Sequence, residues 1–157
     1  SEIRAGIERA VASANAQVED PAQRLARAVC TYLRYALDDP ERSGVLSRLH
    51  RGHTSLSAPL NRGLVDDVTC GLAAGRFTTP TVEAGVLYVL GVTQLALARV
   101  VAEPAPAIAT SLAQQMCGLL LRGLGLTGSE ADLIAAQASD EIVRQGAYAA
   151  AFHNLEE

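Results

Sequence analysis

The chain has 157 residues, enough for one domain that removes roughly 70% of its unfolded surface from water. Hydrophobic residues make up 49% and charged residues 19%, which excludes a disordered tail or a low-complexity linker. The net charge is −4 and all 13 basic residues are arginine, the densest group being the loose set Arg48, Arg51 and Arg62; strong binding of nucleic acid by this chain itself is excluded.

The predicted elements are all helices, because apolar residues recur at three- and four-residue spacing and strand-type alternation is missing. The first spans 2–17, with Ile3, Ile7, Ala10, Val11 and Ala14 on one face. It starts almost at Ser1, as expected of a helix cut from a longer chain. Asp20-Pro21-Ala22-Gln23 then offers an acidic cap, a proline at the first helical position and Gln three residues after the cap. The segment it opens, 21–38, gathers Ala22, Leu25, Val29, Tyr32, Leu33, Ala36 and Leu37 on one arc. Arg27, Thr31, Arg34 and Asp38 lie opposite, which predicts an ordinary amphipathic helix.

Asp39-Pro40 opens segment 41–51, on which Leu46, Leu49, His50 and His53 share a face. Two histidines three apart could share a metal, but no further ligands stand nearby. They read better as helix-end residues or as part of a ligand cavity. Segment 57–74 places Leu60, Leu64, Val68 and Leu72 four apart. Its adjacent Asp66 and Asp67 point about 100° apart and cannot form a facing acid–base pair. No nucleophile with a base and an orienting group is visible either, so catalysis has no local motif behind it.

Thr79-Pro80 is expected to open the longest helix, 80–102. One face carries Val82, Val86, Val89, Thr93, Leu97 and Val100; the other carries Ala84, Gly91, Leu95, Ala98 and Ala102. Glu83 and Arg99 occupy its first and last turns, where the helix dipole favours them. On segment 106–123, bounded by Pro104 and Pro106, the residues Ile108, Leu112, Ala113, Met116, Cys117, Leu119, Leu120 and Leu124 cover more than half the circumference. Helices apolar on both sides need partners on both sides. A second copy would supply them, giving an intermolecular four-helix bundle with Ala84, Gly91, Leu95, Ala98, Ala102, Ala113, Cys117, Leu120 and Leu124 at the interface. Thr127-Gly128-Ser129-Glu130 caps the last segment, 129–152.

Cys30, Cys70 and Cys117 are odd in number and far apart. That argues against a disulfide framework or zinc knuckle and suits a reducing cytoplasm. No signal peptide is visible, and the most apolar stretch, Ala84 to Ala98, falls short of the roughly 20 residues that cross a bilayer. The expectation is one soluble cytoplasmic domain over 1–157, with no metal, no cofactor and no membrane partner.

Two motifs carry a resemblance. Gly71-Leu-Ala-Ala-Gly75-Arg-Phe77, followed by Thr-Thr-Pro-Thr and a long apolar helix, resembles the junction between the seventh and eighth helices of TetR-family transcriptional regulators. Leu119-Leu-Leu-Arg-Gly-Leu-Gly-Leu126 resembles the end of the ninth helix, at the expected spacing. The likeness spans Ile3 to about Ala138. It implies an all-α effector-binding and dimerisation domain, with segment 2–17 as the fourth helix of the family. It also implies that an N-terminal helix-turn-helix unit of roughly fifty residues, which this chain lacks, would read DNA. A small apolar or amphipathic effector would then be lined by Val29, Tyr32, Leu33, Leu49, His50, His53, Leu60, Leu64, Val89 and Thr93, a mostly apolar set with a few orienting polar groups. Two rivals stand beside this reading. A small helical enzyme would show converging ionisable groups in a cavity, and a bare dimerisation module would show a filled core.

Overall fold

The structure, a computed structural model, describes residues 2–48 and 54–146. Among these the regular elements are helical: α1 (Glu2–Ala14), α2 (Pro21–Asp38), α3 (Pro40–Arg48), α4 (Arg62–Ala73), α5 (Val82–Ala102), α6 (Pro106–Leu124) and α7 (Gly128–Ala138). A short 3-10 turn, Pro59–Asn61, leads into α4, and a π-helical turn, Ser139–Arg144, continues α7.

Local chemistry explains most of the starts. The Asp20 carboxylate accepts from the Ala22 amide at 3.0 Å, with Pro21 behind it. Thr127 caps α7 by accepting from the Glu130 amide at 3.4 Å. The start of α5 differs from the expectation at Thr79-Pro80. Thr81, in extended conformation, accepts from the Ala84 amide at 3.0 Å, so the cap lies after the proline. The last helix also ends sooner than 152. Its hydrogen bonds lengthen to the π pattern, with the Gln145 amide donating to the Asp140 carbonyl at 2.9 Å, and Gly146 turns the chain at φ +70°.

The centre of the fold is α2, which packs against every other helix. Its expected polar face is therefore covered in part, with Thr31 buried, Arg27 and Arg34 half-buried and Asp38 exposed. Thr31 is fully buried and donates to the Arg27 carbonyl, while Arg27 donates to the carbonyl of Ala14 at 3.0 Å and pairs with Glu141 at 2.7 Å. Arg34 donates to the Val143 carbonyl at 2.7 Å. Long arginines reach past the helix edge and tie α1 and the π turn onto α2, which an arc of apolar residues cannot foretell.

The two motifs that carry the resemblance meet in space. The Thr78 amide donates to the Leu124 carbonyl at 2.8 Å. Gly125, at φ +115°, ends α6 in the left-handed region, and a Cβ there would lie 2.4 Å from the Thr78 hydroxyl. Gly71 is needed for close approach instead, since a Cβ on it would lie 2.1 Å from the Phe77 ring. Both helix ends are thus held by glycines that let a neighbouring segment come in.

Helix α5 turns Gly85, Val86, Val89, Ala96, Leu97 and Val100 inward, against α2, α3, α4 and α6. At 21 residues it is long and apolar enough to cross a membrane by length and composition, but that buried face belongs to the core. Its other side is open: Gly91, Leu95, Ala98 and Ala102 are exposed, Leu95 to 74%, and Ala84 is half-buried. On α6 the expectation needs correcting. Ala113, Cys117, Leu120 and Leu124 have no accessible surface, because they pack inside the chain's own core. The side of α6 turned outward carries Leu119, 58% exposed, with Leu112 and Met116 partly covered beside it.

Candidate functional site

A cavity of about 350 Å³ lies among α1, α2, α4 and α5. Its apolar wall is built from Val11 and Ala12 of α1, Leu25, Ala28 and Val29 of α2, Leu60 and Leu64 at the entry of α4, and Val89 and Leu90 of α5. This volume stands at the lower end of the range typical of small-molecule sites, and the mixture of apolar wall and few polar groups is the usual one.

Polar groups enter the lining from all four helices. Arg4 is buried on α1. Its Nε donates to Tyr32 Oη at 3.4 Å and its Nη2 donates to the Leu60 carbonyl at 3.3 Å and to Asn61 Oδ1. Asn61, also buried, donates to the Ser55 carbonyl at 2.9 Å. Tyr32 Oη in turn donates to Glu8 Oε1 at 2.5 Å, one helical turn beyond Arg4. On the α4 side Arg24 pairs with Asp67 at 2.7 Å and donates to the carbonyls of Asn15 and Val18, both at 2.9 Å. Thr93 donates to the Val89 carbonyl at 2.7 Å. Gln94, next along α5, keeps a buried Oε1 with no partner among the described residues.

Burial decides the protonation chemistry of this lining. It pushes the Glu8 carboxyl above its ordinary value, against the opposing pull of the Tyr32 hydrogen bond and the Arg4 charge. It does the same to Asp67 against Arg24. The Tyr32 phenol is driven far upward, by burial first and by the Glu8 charge second, so it stays a neutral donor. The ionisable groups do converge, as an enzyme would require, but Tyr32, Arg4 and Arg24 are each committed to neighbours. A filled core, the mark of a bare dimerisation module, is not what α1, α2, α4 and α5 form.

Of the lining residues expected from sequence, Val29, Tyr32, Leu60, Leu64, Val89 and Thr93 face this cavity together. Leu33 does not. It is fully buried in the core, because α2 packs against all the other helices and only part of its circumference borders the void. Leu49, His50 and His53 lie outside the described residues. Among the described residues no group of His, Cys, Asp and Glu gathers in metal-binding fashion. Sequence reading missed Arg4, Glu8, Arg24, Asp67 and Gln94. One signal was present: Arg4, Glu8, Val11 and Ala12 follow helical spacing along one side of α1.

Fold and cavity together define a class: an all-α module with an internal pocket on one side and an open apolar helix face on the other. A profile of the tetracyclin repressor-like C-terminal domain matches residues 20–137. The chain belongs to that family, whose members are regulatory rather than enzymatic and whose C-terminal domains typically bind ligands and dimerise. No curated protein and no solved structure matches the chain.

Proposed function

We propose that residues 1–157 form one effector-sensing and homodimerising domain of a cytoplasmic TetR-type transcriptional regulator. The observation that carries the reading is the cavity of about 350 Å³ whose wall includes α1. Arg4, Glu8, Val11 and Ala12 put one side of α1 against any occupant, and Arg24 holds the chain just after α1 while pairing with Asp67 on the opposite wall. A small molecule seated there favours one setting of α1 over another. In the full-length regulator that setting governs the separation of two helix-turn-helix heads, which must stand about 34 Å apart to read successive major grooves. A coupling of about 1–3 kcal/mol makes a useful switch.

The dimer forms, in this reading, through the open sides of α5 and α6. Gly91, Leu95, Ala98 and Ala102, with half-buried Ala84, supply α5, and Leu112, Met116 and Leu119 replace the buried set on α6. An exposed apolar face of this kind calls for a partner, and a two-fold pair of the same helices supplies one of matching chemistry. Thermal-shift screening against apolar and amphipathic small molecules tests the sensor reading. A hit at 100 times its dissociation constant adds about 2.7 kcal/mol. It should vanish in Tyr32→Ala, and hits that survive that change would place binding elsewhere.

A further inference from the structure

The hydrogen-bond inventory of the cavity is lopsided. The arginine, tyrosine and threonine donors of its buried lining are engaged within the protein; the Gln94 amide nitrogen and the exposed Arg62 add further donors. Arg4 serves Tyr32, Leu60 and Asn61; Arg24 serves Asp67, Asn15 and Val18; the Tyr32 hydroxyl serves Glu8; the Thr93 hydroxyl serves Val89. The acceptors of the lining are less fully engaged. Gln94 Oε1 is buried and unpaired, Glu8 uses only Oε1 and Asp67 uses only Oδ1 among the described residues. Thr93 Oγ1 retains its lone pairs once its proton is given to Val89.

Charge points the same way. Glu8, Asp66 and Asp67 line the cavity against Arg4, Arg24 and Arg62. Formal charges cancel, and Arg62 and Asp66 are both exposed, where water screens them; of the others, Arg4 is buried and engaged and Arg24 pairs with Asp67. An anionic ligand would meet carboxylates on two walls and find its guanidinium partners occupied. A wholly apolar ligand would leave Gln94 Oε1 sealed without a bond, the costly arrangement for a buried polar atom.

From this inventory we propose that the cavity takes a lipophilic amine, its protonated nitrogen donating to Glu8 and Gln94 and its apolar body lying against Leu25, Val29, Leu64 and Val89. The proposal rests on the sensor reading above and gives it a ligand class. The raised carboxyls of Glu8 and Asp67 agree with it, since both are buried with too little opposing charge and a bound cation would supply the deficit.

The test is calorimetric titration of the full chain with three probes that share one skeleton: 4-phenylbutylamine, 4-phenylbutan-1-ol and 4-phenylbutanoate. The amine should bind about tenfold or more tighter than the alcohol, a difference of about 1.4 kcal/mol. In Glu8→Gln, which keeps an oxygen for Tyr32, the amine-to-alcohol preference should collapse towards one. Gln94→Leu, which removes a buried unpaired oxygen and so keeps the fold, should also cut that preference. Equal binding of amine and alcohol, tightest binding of the carboxylate, or an amine preference that survives both substitutions would overturn the amine proposal and leave the cavity reading intact. Failure of all three probes to bind the folded chain would overturn both together.

Discussion

The two sides of α2 are built on different terms. Towards α6, small side chains let the helices close up: Cys30 and Cys117 are fully buried with their sulfurs 3.9 Å apart, and Cys117 also reaches the Ala26 carbonyl. Ala113, Leu121 and the Ala131, Ala135 and Ala138 row of α7 complete an apolar interior. Towards α1, α4 and α5 the same helix presents Leu25, Ala28, Val29 and Tyr32 to an open volume ringed by charged groups. Close packing serves stability, whereas a void lined by buried ionic groups forgoes dispersion contacts and incurs desolvation. The fold therefore draws more of its stability from one side of its central helix, and the other is the side to which the proposed sensor reading assigns recognition.

The largest expected effect separates the interior of α6 from the open side of α5. Leu120→Arg places a charge where no surface is accessible and no partner waits, so cooperative thermal unfolding should disappear. Leu95→Arg puts the same charge on a side chain 74% exposed. It should leave the melting transition of the isolated fold nearly unchanged and turn dimers into monomers by light scattering. Dimers that persist would remove α5 from the proposed interface.

A second pair sharpens the comparison within α2 itself. Leu25 and Leu33 share a helix, a residue type and near-complete burial, but only Leu25 borders the cavity. Leu33→Ala should cost about 3–5 kcal/mol in denaturant unfolding, the range for a leucine whose surroundings cannot collapse. Leu25→Ala should cost about 2–3 kcal/mol, because one side of the leucine already lacks partner atoms. Equal losses would mean that the void closes in solution.

How far the sequence reveals these two sides depends on whether the cause is local. Asp20-Pro21 and Thr127 announce helix starts through chemistry contained in four residues, and both starts are found there. The inward face of α5 is legible because Val86, Val89, Leu97 and Val100 repeat at helical spacing. On α6 the apolar residues cover too much of the circumference for spacing to choose a side. Contact with α2 and α7 makes the choice, turning Ala113, Cys117, Leu120 and Leu124 in and Leu119 out. The polar lining is the least legible part. Tyr32 meets Glu8 across 24 positions and Arg4 meets Asn61 across 57, and no local pattern records such pairings.

Asp20 offers a smaller effect from the junction of α2, the α4–α5 loop and α7. It caps α2 and takes two hydrogen bonds from Arg76, at 3.0 and 2.9 Å, while Arg76 also pairs with Glu130 at 2.6 Å. The Arg76 guanidinium holds the Asp20 carboxyl below its ordinary value, with the α2 amides adding to it. Asp20→Ala should cost about 0.5–2 kcal/mol, the range for a lost cap. The contribution of Asp20 is present above its unfolded value near 3.8 and is lost as the pH falls through the lower folded value.

Glu8 titrates with the opposite sign, which makes it the finest probe of the cavity side. Its folded-state value is raised above the ordinary 4.5 by burial. Between those two values the unfolded chain has released its proton and the folded chain still holds it, so stability falls as the pH rises across that interval. Above the interval the penalty is complete and constant. Glu8→Gln removes the titration while keeping the oxygen that accepts from Tyr32. Urea midpoints should therefore coincide for variant and parent below about pH 4 and diverge in the variant's favour towards neutrality. The gap should close again in the parent when an amine occupies the cavity, because a buried carboxylate with a cation beside it no longer gains from protonation. A variant less stable than the parent at neutral pH would mean that the Arg4–Glu8 pair outweighs the desolvation of Glu8, and that this side of α2 is held by its charges after all.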